Sequence, residues 1–233
     1  MKMGLNEILK SKSRKPWLEE LIDAHLTSYV REERPVNHFH PSWAGKCPRL
    51  IQLIMSGVIP ESEGIGPRIQ RIFDTGHDMH DRYGRYFEKM GVLLAKEPQL
   101  FFEKDDVIIK GNADYIIKDE FGKLHLLELK SMNNRRFNEL CTANVPVTEN
   151  FLQWNIYSRC LNIQMGELLY ENKDDCNMKV FSLKYDEEKF NEIFNIFKAI
   201  TEFSKKGLIY PLPSKCENKY CPAKAYCKEE SKK

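Results

Sequence analysis

The sequence predicts an α/β (α+β) chain: a core of strands and helices, a helical region before it and a cysteine-bearing tail after it. Three observations lead there. Short β-branched and aromatic runs separated by polar turns occupy residues 99–130, 168–171 and 180–183. Stretches with apolar residues at helical spacing begin at Pro67 and Asp186, and Thr148 can cap a further helix. The segment CENKYCPAKAYC near the end places Cys216, Cys221 and Cys227 within twelve residues that have little apolar content of their own. A chain of 233 residues, 42% of them hydrophobic, is large enough for one sizeable domain with small appendages. The expected division is 1–66, 67–207 and 208–233.

Composition sets limits on function. A net charge of +2 does not by itself announce a nucleic-acid binder. The ends are more basic: residues 2–15 carry five Lys/Arg against one Glu, and residues 204–233 carry eight Lys against three Glu. Such ends suit phosphate contacts and equally suit solvated termini. No apolar run approaches the ~20 residues needed to span a bilayer. The first residues also lack the apolar core of a secretory signal, so a cytoplasmic protein without membrane contact is expected. Seven cysteines is an odd number, which argues against a full disulfide framework. In a reducing compartment, clustered thiols point to metal or iron–sulfur ligation.

The elements follow in order. Pro16 and Trp17 open a helical pattern whose stripe is Trp17, Leu18, Leu21, Ile22 and Leu26, the pattern of a packing helix. His38 and His40 read as loop histidines. Ser42 can cap a helix over 43–56 that is closed by Gly57 and carries Cys47, with Pro48 tolerated in its early part. Arg49 on that helix can meet phosphate or solvent. Gly64-x-Gly66 lacks the strand–helix context of a nucleotide loop. A long helix runs from Pro67 to about Gly91, with Ile69, Ile72, Phe73, His80, Tyr83, Phe87 and Met90 along one face. Gly76 and Gly84 interrupt it at about 1 kcal/mol each relative to Ala, a cost that a close approach would justify. Strands over 99–103, 107–117 and 123–130 form an expected antiparallel meander. Residues 133–140 read as a polar link or short helix. Helices follow over 148–161 and 186–206, the second burying Phe190, Ile193, Phe194, Phe197 and Ile200, with strands over 168–171 and 180–183 between them. Cys141, Cys160 and Cys176 are isolated and read as packing residues.

The chemistry concentrates between Gly111 and Lys130, in GNADYIIKDEFGKLHLLELK. Residues two apart in a strand share a face, so Glu128 and Lys130 project together and Asp114 can face them from a neighbouring strand. Two carboxylates in a half-buried sheet repel each other and lose hydration. A hard divalent cation with oxygen ligands relieves that conflict, and a lysine beside it can hold a water or offset charge on a phosphate. The pattern alone is also that of a surface ion pair and an acidic turn. His80 on the apolar helix face is either a core histidine or, beside an acidic site, a candidate ligand. Gln153 and Tyr157 stand four apart on one helix face. Three tail thiols leave one ligand position open, which Cys47 can fill. Four thiolates suit a [4Fe–4S] cluster or structural zinc.

Assembled in order, these residues resemble the PD-(D/E)XK nuclease superfamily. The resemblance is to the RecB-like branch that includes the CRISPR-associated four-cysteine nucleases, their phage relatives and the AddB nuclease domain. The set runs from Cys47 through Gly76–His80, Gly111–Asp114, Glu128–Lys130 and Gln153–Tyr157 to the three late cysteines. It implies a restriction-endonuclease-like core with a central mixed sheet flanked by helices. It further implies Mn²⁺ or Mg²⁺ held by His80, Asp114, Glu128 and the carbonyl of Leu129. Lys130 would position and activate the attacking water, and Gln153 and Tyr157 would support the site. A cluster on Cys47, Cys216, Cys221 and Cys227 would act as a staple. Arg68, Arg71, Arg135 and Arg136 are candidate DNA contacts. The implied activity is exonucleolytic cleavage of single-stranded DNA ends in recombination, repair, phage replication or CRISPR adaptation. The competing readings are a DNA-end-binding assembly module for a partner integrase or recombinase, and a structure-specific endonuclease of restriction type. The chain departs from the family in the longer gap between Cys216 and Cys221, which leaves the cluster type open. It also lacks helicase motifs, so a motor would be a separate chain.

Overall fold

The computed structural model describes residues 16–27, 36–60, 66–213, 216 and 221–230. The basic residues of 2–15, most of the 58–66 loop including Gly64, and Lys232 and Lys233 lie outside the described residues. The chain forms two compact units, one of residues 1–33 with 62–75 and the other of 34–61 with 76–233.

In the first unit, α1 (Trp17–Thr27) forms where the periodicity predicts it. It buries none of its residues, and Trp17 is 73% exposed. The expectation of a packing helix is corrected: its apolar stripe faces solvent. Arg71, on the opening turns of α3 (Pro67–Lys89), donates from Nη1 to Asp23 Oδ1 at 2.7 Å and so joins the two helices of this unit.

The second unit is built on a five-stranded mixed sheet in the order β1-β4-β5-β6-β7. Its strands are β1 (Leu93–Lys96), β4 (Tyr115–Lys118), β5 (Leu124–Met132), β6 (Met165–Asn172) and β7 (Met178–Lys184). A separate hairpin pairs β2 (Gln99–Lys104) with β3 (Val107–Asn112). The expected meander is corrected at two points, and the expected mixed sheet is found. Residues 107–117 are two strands rather than one, because the chain leaves the hairpin and joins the main sheet at Ala113 and Asp114. Sequence reading missed β1, which pairs antiparallel with β4. β5 and β6 are parallel, joined by a crossover through α4 (Asn134–Ala143) and α5 (Thr148–Leu161). Parallel neighbours require such a connection.

The sheet is covered on both faces. On one side α3 packs Met79, Tyr83 and Phe87 against Tyr115, Leu127, Leu129 and Leu169. On the other, α5 and α6 (Glu187–Lys205) enclose Leu126, Leu168 and Tyr170 with Trp154, Ile156 and the phenylalanines of α6. The five residues expected to be buried on α6 are those it buries. α3 departs from expectation: Ile69, Ile72 and Phe73 are exposed, and Met90 lies beyond the helix end. Two Asn residues in the left-handed conformation, Asn144 and Asn162, close α4 and α5. Asp186 caps α6 by accepting from Lys189 N at 3.0 Å, which also corrects the expected helix start by one residue.

The predicted helix over 43–56 begins later. Pro41–Trp43 is a single 3-10 turn, and α2 (Pro48–Met55) starts with Pro48 at its first position. There the missing N–H costs nothing, so Cys47 caps this helix instead of riding on it.

Gly166 sits opposite Leu126 in the β5–β6 register. A Cβ there would lie 1.8 Å from the Leu126 carbonyl oxygen. Gly166→Ala must therefore push two central strands apart. We expect a loss of at least about 2 kcal/mol in urea unfolding, and a variant as stable as the parent would refute this close approach.

Candidate active site

The break between β3 and β4 puts Asp114 at the start of β4, and the antiparallel register carries it toward the far end of β5. Asp114 Oδ2 accepts from Leu129 N at 2.6 Å, and its Oδ1 faces His80 Nδ1 at 3.5 Å. Beside Asp114 in this register, Glu128 is 1% exposed. Its Oε1 accepts from Lys130 Nζ at 2.6 Å and from Gln153 Nε2 at 3.0 Å. The same Gln153 amide donates to Tyr157 Oη at 2.7 Å. Glu128 Oε2 is buried and has no hydrogen-bond partner among the described residues. Gly111 admits Pro41, whose Cδ would stand 3.0 Å from a Cβ at that position.

The electrostatics follow from this crowding. Burial first, then the neighbouring Asp114, pushes Glu128 up to about 8. Burial pushes Asp114 up to about 6, against the opposing pull of Lys130 and the Leu129 amide. Burial draws His80 below its ordinary value and outweighs the opposite effect of Glu128. Burial alone would lower Lys130, but Glu128 and Asp114 outweigh it and hold the ammonium above the usual lysine range. Burial and Glu128 raise Tyr157. Two carboxyl groups, an imidazole and one lysine thus share a poorly hydrated space, in which burial makes the carboxyls hold protons that a cation would displace.

That donor set has the composition a hard divalent cation takes, carboxylate oxygens with one imidazole. The unpartnered Oε2 of Glu128 supplies the observation that makes the fit. Among the described residues, no three His, Cys, Asp or Glu side chains are already gathered at ligating distances. Lys130 occupies one Glu128 oxygen, and Asp114 is turned to the Leu129 amide.

Several residues around the site escaped sequence reading. Glu97 holds a positive φ of 50°, and its N–H donates to the Asp114 carbonyl at 2.8 Å. Tyr115 Oη donates to the His80 carbonyl at 2.6 Å. Arg82 and Tyr83 both donate to Glu171 Oε2, at 2.6 and 2.9 Å, and pin α3 to β6. Gly84, four residues after His80, was the one available signal. The expected close approach is real there and absent at Gly76, where a Cβ would meet nothing within 4 Å.

The arginines divide. Arg68 and Arg71 lie on the part of α3 that belongs to the first unit, and Arg71 is engaged with Asp23. Arg135 and Arg136 are exposed in the first turn of α4, directly after β5, with Arg135 3.6 Å from Glu139. Arg49 meets neither phosphate nor solvent: it is buried, and its Nη1 donates to the Tyr210 carbonyl at 2.7 Å. Gln52, one turn later, donates to the Leu208 carbonyl at 2.8 Å and accepts from Tyr210 N. α2 thereby grips the backbone that leads into the tail.

Cys47, Cys221 and Cys227 are half-buried and Cys216 is exposed. Burial raises the Cys221 thiol, and Cys216, Cys47 and Cys227 each raise it further. Cys141 and Cys176 are exposed, so the packing role expected for them is corrected. Cys160 does pack against the core, and burial pushes it up to about 12.

A five-stranded mixed sheet with helices on both faces matches restriction-endonuclease-like exonuclease folds. Three solved structures share it with this chain. The protein SSO0001 is 17% identical over 91% of this chain and 96% of its own, with a TM-score of 0.56. An alkaline exonuclease from Laribacter hongkongensis, LHK-Exo, is 15% identical over 91% of this chain and 98% of its own, with a TM-score of 0.54. LHK-Exo in complex with dAMP is 17% identical over 81% and 93%, at 0.54. No protein-family model matches the sequence, and no curated protein matches it. Among the described residues no helix is long and apolar enough to cross a membrane.

Proposed function

We propose that this chain is a metal-dependent deoxyribonuclease of the PD-(D/E)XK superfamily, acting as an exonuclease on single-stranded DNA ends. The observation that carries the reading is Glu128: a buried carboxylate with one unpartnered oxygen, set among Asp114, His80 and Lys130. Structures of the same fold include a named exonuclease, once with a nucleotide bound, which agrees with this choice.

Asp114, Glu128, His80 and the Leu129 carbonyl would hold Mn²⁺ or Mg²⁺. Such an ion lowers the pKa of bound water and offsets charge at the phosphate. Lys130 already donates to Glu128 and retains its proton at neutral pH. Its part would be to position and activate the attacking water and to offset negative charge. Gln153 fixes the Glu128 carboxylate, and Tyr157 fixes Gln153. Arg135 and Arg136, exposed directly after β5, would meet a phosphate backbone leaving the site.

Cys47, Cys216, Cys221 and Cys227 would carry a [4Fe–4S] cluster, with structural zinc as the alternative. The grip of α2, which Cys47 precedes, on residues 208–210 supports that assignment. Protein purified without oxygen should contain iron and sulfide in about equal amounts, with a broad visible absorption that Cys227→Ala loses. Zinc without iron would select the alternative.

The deciding assay uses end-labelled linear and circular single-stranded DNA with Mn²⁺, Mg²⁺ or EDTA. Metal-dependent loss of linear DNA alone, abolished by Glu128→Gln, is the expected result. Cleavage of circles would make the protein an endonuclease. DNA binding without cleavage would make it an end-binding module for an integrase, recombinase or helicase partner.

A further inference from the structure

Tyr115 follows Asp114 directly and is 1% exposed. Its hydroxyl crosses to α3 and donates to the main-chain carbonyl of His80 at 2.6 Å. The phenol reaches the helix backbone at a glycine: a Cβ on Gly84 would stand 3.0 Å from Tyr115 Oη and 3.4 Å from its Cε1. Phe87, one turn further, packs edge-on against the same ring at 5.4 Å. Asp114 is held on its other flanks by Glu97 N on its carbonyl and by Leu129 N on its carboxylate. A short rigid path therefore runs from the Asp114 main chain through the Tyr115 ring to His80.

We propose that Tyr115 is a positioning residue. Its hydroxyl, admitted by Gly84, fixes where His80 stands relative to Asp114 and so sets the affinity of the site for a divalent cation. This inference rests on the nuclease reading above and names a residue that acts only through His80. It also explains why α3 carries a glycine in its buried interior.

The test is Mn²⁺ affinity, read by the loss of the free-ion paramagnetic resonance signal. The proteins are wild type, Tyr115→Phe, His80→Ala and the double variant, with melting temperatures alongside. Tyr115→Phe should weaken Mn²⁺ binding about 10-fold, at the low end of what outer-shell partners contribute, with little change in melting. In the His80→Ala background the same substitution should change affinity no further. Equal losses in both backgrounds, or no loss in the wild-type background, would overturn the proposal. Gly84→Ala should weaken binding while Tyr115 is present, and adding Tyr115→Phe to it should cost little more; full additivity would count against the strut. A wild-type protein that takes up no Mn²⁺ would overturn the nuclease reading and this inference together. Additive variants of a wild type that does bind would overturn this inference alone.

Discussion

Glu128→Gln is expected to lower DNA cleavage at least about 10³-fold and, in metal-free protein, to flatten the dependence of melting temperature on pH. Both effects have one cause. The neutral amide keeps the shape of the side chain and its place between Lys130 and Gln153. It removes the charge that makes the site attractive to a cation. The stability effect follows from proton linkage. Folding raises Glu128 from the ordinary carboxylate range to about 8, and Asp114 to about 6. The folded protein therefore retains protons that the unfolded chain has released. That contribution is fully present below about pH 4 and is lost as pH rises, first through about 6 and then through about 8. For the metal-free parent the loss amounts to roughly a few kcal/mol. In the Gln variant only the Asp114 part remains. Melting curves between pH 5 and pH 8.5, with EDTA and with Mn²⁺, check this. The parent should melt progressively lower in EDTA as pH rises through about 8 and recover with Mn²⁺, while the variant should fall only through the Asp114 range near pH 6 and gain little from Mn²⁺. A parent whose metal-free stability rises across this range would contradict the buried, proton-retaining carboxylate.

Trp154→Ala is expected to cost about 3–5 kcal/mol, a large share of the about 5–15 kcal/mol that holds a domain together. The indole is fully buried between α5 and the sheet. Its Nε1 donates to the Leu126 carbonyl at 2.9 Å, at the same strand position that Gly166 abuts. Truncation leaves a cavity and an unsatisfied carbonyl together. Trp154→Phe should be intermediate, since it keeps most of the volume and loses only the hydrogen bond, worth about 1–3 kcal/mol when a buried partner is stranded. Gln153 is the neighbouring residue, so activity should fall with stability in the Ala variant and less in the Phe variant. Urea midpoints within about 1 kcal/mol of the parent would show that this interface is looser than its packing indicates.

The chain wrote some of this plainly. The apolar spacing of α6 is a local property, and that helix lies within a residue of where it places it. Strand alternation sets Glu128 and Lys130 on one face, where Asp114 can meet them, and helical spacing pairs Gln153 with Tyr157; only the resemblance joins the two sets into one site. Tertiary structure decided the rest, because partner choice and burial depend on residues distant in the chain. No local feature says that residues 107–117 divide between two sheets, that β5 takes β6 as a parallel neighbour, or that the stripe of α1 stays in solvent. Nor does any local feature say that Arg49 grips a carbonyl 161 positions away. The protonation of the site belongs to that second class. A carboxylate in a sequence is an ordinary acid, and only the enclosure of Glu128 beside Asp114 makes it one that keeps its proton near neutrality and has an oxygen free for a cation.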